Sequence, residues 1–125
     1  MKNVGDEIHF KCEIDEFLDE FEDHVNIALY RIVQESLTNI HKHSGANAAS
    51  VSLKLEKRDD IVGTCSVLLQ ISDNGIGFEN EGTQFDGMGL LNMRERTEAL
   101  GGVFRLVSTA GKGVDVLVSI PVKLS

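Results

Sequence analysis

The order of patterns along this chain predicts an α+β two-layer sandwich, a mixed sheet of about five strands with helices on one face. Three observations carry that prediction. Five short stretches either alternate apolar and polar residues or run continuously apolar, as strands do. Two longer stretches repeat apolar residues at three-and-four spacing, as core-facing helices do. They follow one another as β, α, β, β, α, β, β. At 125 residues the chain has a common domain size, so a single domain over 1–125 with one hydrophobic core is expected.

Ile8 to Ile14 alternates and predicts a half-buried strand. Acid is then concentrated from Glu13 to Asp23, which reads as a solvated connector. Val25, Leu29, Ile32, Val33, Leu37 and Ile40 mark one buried face of a long helix from about Asp23 to His43, with Gly45 available to close it in the left-handed conformation. Val51 to Glu56 and Ser66 to Ser72 are strands expected to pair as an antiparallel hairpin. Val67 to Ile71 is apolar almost throughout, which places it centrally in the sheet. Glu79 to Asp86 is polar and without period, a loop. Gly87-Met88-Gly89 then opens a helix in which Leu90, Met93, Thr97 and Leu100 share a face, ending at Gly101-Gly102. Val103 to Ser108 and Val114 to Pro121 are the last two strands.

A hydrophobic share of 42% with 26% charged residues is that of an ordinary globular domain. No run approaches the roughly twenty apolar residues of a membrane span, and no signal-peptide region precedes Ile8. The domain is therefore expected to be soluble, although a larger parent could be membrane-anchored. A net charge of −8 argues against a nucleic-acid surface, which needs clustered Lys and Arg. A small anionic ligand remains open, because backbone amides at a helix start, a metal ion and one or two cations can hold it. Cys12 and Cys65 lack metal-ligand spacing and are expected to be buried free thiols.

Glu35, Asn39 and Lys42 fall within an arc of about 60° on the long helix, away from the centre of its apolar stripe. One acid, one amide and one cation share a line. Three glycine-rich turns follow, Asp73-x-Gly75-x-Gly77, Gly87-x-Gly89 and Gly111-x-Gly113. Each alone carries little, since turn glycines usually answer a backbone need. None matches a Walker A loop or the dinucleotide-binding fingerprint. What is informative is the conjunction: an acid ending a central strand, three close-approach turns and a polar helix line.

Glu35-x-x-x-Asn39 on a helix, Asp73-Asn74-Gly75-Ile76-Gly77-Phe78, Gly87-Met88-Gly89-Leu90 and Gly111-Lys112-Gly113 resemble, in order, the N, G1, G2 and G3 boxes of the ATP-binding domain of sensor histidine kinases, the Bergerat-type fold shared with DNA gyrase. The runs Arg31 to Asn39 and Gly89 to Arg96 are most similar to the nitrate/nitrite-sensor subfamily. The resemblance spans about Ile8 to Val122.

The resemblance implies a role for each box. Asp73 accepts a hydrogen bond from the adenine amino group, which guanine could not supply; a carboxylate that merely caps the following turn is the bland alternative. Gly75 and Gly77 let the backbone lie against base and sugar. Asn39 offers its amide oxygen to Mg²⁺, one protein ligand sufficing because magnesium keeps waters and takes phosphate oxygens. Glu35 orients or deprotonates the attacking group as the catalytic residue, or organises the metal's water. Lys42 and His43 are candidate phosphate contacts, although cations at a helix C-terminus are favourable without any ligand. Amides around Gly87, Met88, Gly89 and Leu90 cradle the triphosphate, and Gly111 and Gly113 shape the turn beneath the base. Where a Thr commonly follows the third glycine box this chain has Val114, and the lost hydroxyl could weaken adenine binding or be replaced by Ser72 or water.

No phosphoacceptor histidine on a helical hairpin is present: His9 is on a strand, His41 and His43 are in the nucleotide helix, and Asp23-His24-Val25 lacks the acid that usually follows the acceptor. The implied function is the catalytic module of a cytoplasmic two-component kinase, which binds ATP and Mg²⁺ and donates the γ-phosphoryl to a histidine on a separate helical domain of the parent. A response regulator acts downstream, and the isolated module is monomeric. A serine kinase of the anti-sigma-factor type, or a nucleotide-binding module without transfer activity, are the alternatives.

Overall fold

The computed structural model describes residues 9–14, 22–41, 45–57, 64–75, 89–109 and 111–123. Its elements are β1 (His9–Ile14), α1 (Asp23–Asn39), β2 (Ala48–Lys57), β3 (Thr64–Asp73), α2 (Leu90–Ala99), β4 (Val103–Thr109) and β5 (Gly113–Lys123). They form one five-stranded sheet in the order β1-β2-β3-β5-β4. β1 pairs with β2 in parallel, and every other pair is antiparallel. The sheet is therefore mixed, as predicted. A parallel pair needs a crossover connection, and α1 lies within the one that joins β1 to β2.

β3 occupies the middle of the sheet, which accounts for its apolar run. Its neighbours lie in matched register, Leu53 and Val118 both opposite Leu69. Alternation puts Cys65, Val67, Leu69 and Ile71 on one side, and these are buried with Val51 and Leu53 of β2 and Val116, Val118, Ile120 and Val122 of β5. Val25, Leu29, Ile32 and Ile40 of the first helical segment and Leu90 and Met93 of α2 complete that core. The other side of β3 carries the exposed Gln70 and the less buried Ser66, Leu68 and Ser72. Both helices thus cover one face.

Two details differ from expectation. On α1 the buried line includes Ala28 and Ser36, while Val33 and Leu37 lie half-buried at its flanks. The stripe is turned toward Ser36 because that position faces α2, where its hydroxyl donates to Met93 Sδ at 3.3 Å. Cys65 is buried, but Cys12 is exposed. β1 is an edge strand with a neighbour on one side only, and its Lys11, Cys12 and Glu13 are all exposed.

Helix ends follow local chemistry. The regular turns of α1 stop at Asn39, and Ile40 and His41 continue as a wider turn. The expected continuation through Lys42 and His43 lies outside the described residues. Gly45 is left-handed with φ 67°. α2 closes with Gly101 N–H bonded to Glu98 O and Gly102 N–H to Thr97 O, both at 3.0 Å, with Gly101 at φ 76°. This is the reciprocal pair that satisfies the last carbonyls of a helix.

Ile32 has no exposed surface and meets the sheet at the centre of the core. Ile32→Ala is expected to lower unfolding free energy by about 2–5 kcal/mol, measured as a shift of the urea midpoint. A change below about 0.5 kcal/mol would contradict this packing.

Candidate functional site

Asp73 is the last residue of β3 and follows the buried Ile71 in alternation, so its side chain belongs to the helix-covered side of the sheet. It is half-buried, and its carboxylate Oδ1 accepts the Gly75 N–H at 2.8 Å. The backbone of Val114 gives the carboxylate a second hydrogen bond. The turn-capping role is therefore real, and it coexists with the placement of an acceptor at the end of the central strand. Burial raises the Asp73 pKa above its ordinary value of 3.8; the bonds from Gly75 and Val114 pull it down and the charge of Asp115 pushes it up, with burial the largest influence.

The strand end is gripped from both sides. On the β2 side, Asn74 Oδ1 accepts the backbone N–H groups of Asn47 at 3.1 Å and Ala48 at 3.0 Å, its Nδ2 donates to Asn47 Oδ1 at 2.7 Å, and its own N–H bonds Ala48 O at 3.2 Å. On the β5 side, Gly113 has φ +96°, and a Cβ there would run into the Asp73 carbonyl and stand 3.1 Å from Asn74 Cα. No residue but glycine fits both the backbone angle and the space. Gly111, at φ +78°, has open space around it and serves the turn alone. The Asn74 clasp is not legible in the sequence. An Asn beside a turn Asp signals turn chemistry, but nothing local names Asn47 as its partner.

Val114 stands where the resemblance suggests a Thr. Its side chain packs against the core, and its contribution to Asp73 comes through the backbone. Ser72 does not take over the missing hydroxyl. It lies on the opposite side of the strand from Asp73 and donates Oγ–H to Asp115 Oδ1.

On the helices, Glu35 and Asn39 are both half-buried, and four residues place them about 6 Å apart along one line of α1. The Glu35 carboxylate lies directly over Gly89, whose left-handed backbone (φ 69°) begins α2. Leu90 is buried in the core with Met93, so only its backbone amide is on offer to a ligand. Gly75 is buried and its N–H is engaged by Asp73. Lys42, His43, Gly77, Gly87 and Met88 lie outside the described residues, as does the expected loop 79–86.

A hollow of about 480 Å³ beside Asp73 is lined by Lys11, Ala48, Ala49, Ser50, Ser72 and Asn74, and does not reach Glu35 or Asn39. Among the described residues no three His, Cys, Asp or Glu side chains cluster to hold a metal. Among them, too, no helix is long and apolar enough to cross a membrane.

Comparison with known proteins agrees with this architecture. Residues 24–124 match the family described as histidine kinase-, DNA gyrase B-, and HSP90-like ATPase. The chain is 36% identical over 101 residues to the sensor histidine kinase LiaS of Bacillus subtilis, an alignment covering 81% of this chain and 25% of that protein. It is 35% identical over 104 residues to the histidine-protein kinase/phosphatase DegS of Brevibacillus brevis, covering 83% and 25%. With the oxygen sensor histidine kinase NreB of Staphylococcus carnosus it shares 29% over 122 residues, covering 97% and 33%. The chain thus spans about a quarter to a third of these relatives. Among solved structures, the histidine kinase domain of a blue-light activated kinase from Erythrobacter litoralis superposes with a TM-score of 0.64 at 21% identity, over 90% of this chain and 51% of that one. The Acinetobacter baumannii histidine kinase AdeS gives 0.66 at 16%, over 91% and 54%. At those identities the likeness is one of fold.

Because the folded-state pKa of Asp73 is raised, the folded chain binds more protons than the unfolded chain at pH values from about 3.8 upward, and this group makes stability fall as pH rises through that window. Asp73→Asn removes the slope. The melting temperature of Asp73→Asn relative to the parent is expected to improve between about pH 3.8 and neutrality. A constant difference across that range would contradict the desolvation of Asp73.

Proposed function

The chain belongs to the histidine kinase-, DNA gyrase B- and HSP90-like ATPase family, and from that premise we propose that it is the catalytic module of a sensor histidine kinase in two-component signalling. It binds Mg-ATP and passes the γ-phosphoryl to a histidine on a separate helical dimerisation domain of its parent. The observation that carries the reading is the partly desolvated Asp73 carboxylate at the end of the central strand, on the helix-covered side, held there by backbone bonds from two turns.

The chemistry of these residues supports a nucleotide as the ligand. A partly desolvated carboxylate accepts a hydrogen bond from an exocyclic amino group and has none to offer a carbonyl, so Asp73 selects adenine over guanine. Gly75 and Gly77 leave the base and sugar room. Backbone amides at Gly89 and Leu90, at the start of α2, favour the anionic triphosphate; Gly87 and Met88, which precede them in sequence, are proposed to join them, and Lys42 and His43 to add positive charge. Gly111 and Gly113 set the turn against which Asp73 is held. Asn39 would offer its amide oxygen to the magnesium ion, one protein ligand being enough for a metal that would supply charge neutralisation at the phosphates. Bound Mg-ATP supplies the phosphoryl group and the charge neutralisation.

Glu35 orients the acceptor imidazole or takes its proton, or orders a water of the metal. Transfer breaks the bond from the γ-phosphorus to its bridging oxygen and forms one to the imidazole nitrogen, with ADP leaving. Positioning and charge neutralisation supply most of the rate. The reading places the module in the cytoplasm as a monomer, its parent soluble or membrane-anchored, with a response regulator receiving the phosphoryl group.

Adding a helical phosphoacceptor domain from a related kinase and radiolabelled ATP tests the reaction. Acid-labile label on the acceptor is expected. Acid-stable label would indicate a serine kinase, and tight ATP binding without any label would indicate a nucleotide-binding module alone. By calorimetry Asp73→Asn should weaken ATP by about 30-fold or more, corresponding to about 2 kcal/mol for a lost charged hydrogen bond. Unchanged affinity would sink the site. Asn39→Asp should alter the magnesium dependence of ATP binding, and parent protein that binds ATP equally well with and without Mg²⁺ would undo that assignment.

A further inference from the structure

Glu35 and the first turn of α2 compete for one volume. Gly89 is left-handed, has no side-chain cap, and a Cβ on it would stand 2.5 Å from Glu35 Cδ and 2.9 Å from Glu35 Cγ, with the carboxylate Oε1 closer still. Non-bonded carbons settle at roughly 3.5–4.0 Å, so the side chain of Glu35 occupies the room that any other residue at 89 would fill. The next residue in the chain strengthens the arrangement. Ser36 is buried and its hydroxyl donates to Met93 Sδ at 3.3 Å, Met93 N–H closes the first turn of α2 on Gly89 O at 3.1 Å, and Thr97 Oγ1 donates to Met93 O at 2.9 Å. α1 and α2 are therefore pinned at Ser36, and the carboxylate one residue earlier rests on the N-terminus of α2, the end that favours negative charge.

We infer that Gly89 is a positioning residue for Glu35: its missing side chain is the space in which the carboxylate stands, so the start of α2 sets where the acid sits during phosphoryl transfer. This deepens the kinase reading and rests on it for the catalytic consequence, whereas the contact itself does not. It also differs from a phosphate-cradling role. Alanine at 89 would keep the backbone N–H that a phosphate uses, yet would evict the carboxylate.

The test is a double-mutant cycle on the whole chain with Gly89→Ala, Glu35→Ala and both together. Alanine at a positive φ is strained in either background, but the collision exists only while Glu35 keeps its side chain. The fall in melting temperature caused by Gly89→Ala is expected to be measurably smaller when Glu35 is Ala, the strain of a positive φ being common to both backgrounds and the flexible end of Glu35 adding the rest. Equal falls in both backgrounds overturn the proposal, whatever the activity. If Gly89→Ala alone does not fold, recovery of a cooperative melt in the double variant supports the proposal and failure to recover overturns it. In a second arm, with the phosphoacceptor domain added, Gly89→Ala should slow transfer at saturating ATP by about tenfold or more, and by much less when Glu35 is already Ala. A raised Kd with an unchanged saturated rate assigns Gly89 to the nucleotide alone and overturns it. A parent chain that does not bind ATP sinks the kinase reading, and the stability cycle then decides the placement of Glu35 by itself.

Discussion

The close approach of the Gly113 backbone to the carbonyl of Asp73 is the constraint around which the strand-end chemistry is built. A Cβ at 113 would hold β5 away from the end of β3. Without it the two strands meet, and the Val114 N–H reaches the Asp73 carboxylate. The third glycine turn thus serves the first one. It lets a neighbouring strand hold an acid in partly dry surroundings, where a carboxylate is costly to ionise.

The same economy of contact joins the helices. α1 brings Glu35 and Asn39 along one line, but it is the Ser36 to Met93 bond and the bare Cα of Gly89 that fix α1 against α2 at that level. A buried hydroxyl at a helix contact must find a partner, and a thioether sulfur is a weak but adequate acceptor. The sheet places one carboxylate, Asp73 at the end of β3, and α1 places another, Glu35 over Gly89. Asn74 adds the third tie, binding the exit of β3 to the start of β2 with four hydrogen bonds.

Local patterns carried much of this. Alternation along β5 and the apolar run of β3 announce a face and a central place, because side-chain direction in a strand depends only on parity. The spacing of Leu90, Met93 and Thr97 announces the buried side of α2 for the corresponding helical reason. Ser36 was not legible, since hydropathy ranks a serine below Leu37 and only a facing Met93 makes its burial favourable. The exposure of Cys12 is not legible for the converse reason. Alternation shows that a strand has two sides, and it cannot tell that β1 lies at the edge of the sheet.

By itself, then, the sequence determined the element order, the α+β class, and the residue types at the strand end and on the helix line, all of which are properties of spacing along the chain. Tertiary structure decided which glycine answers which acid. Gly113 belongs with Asp73 and Gly89 with Glu35 across separations of 40 and 54 residues. Steric exclusion acts between atoms brought together by packing, and a glycine carries no side chain through which its partner could be read in advance.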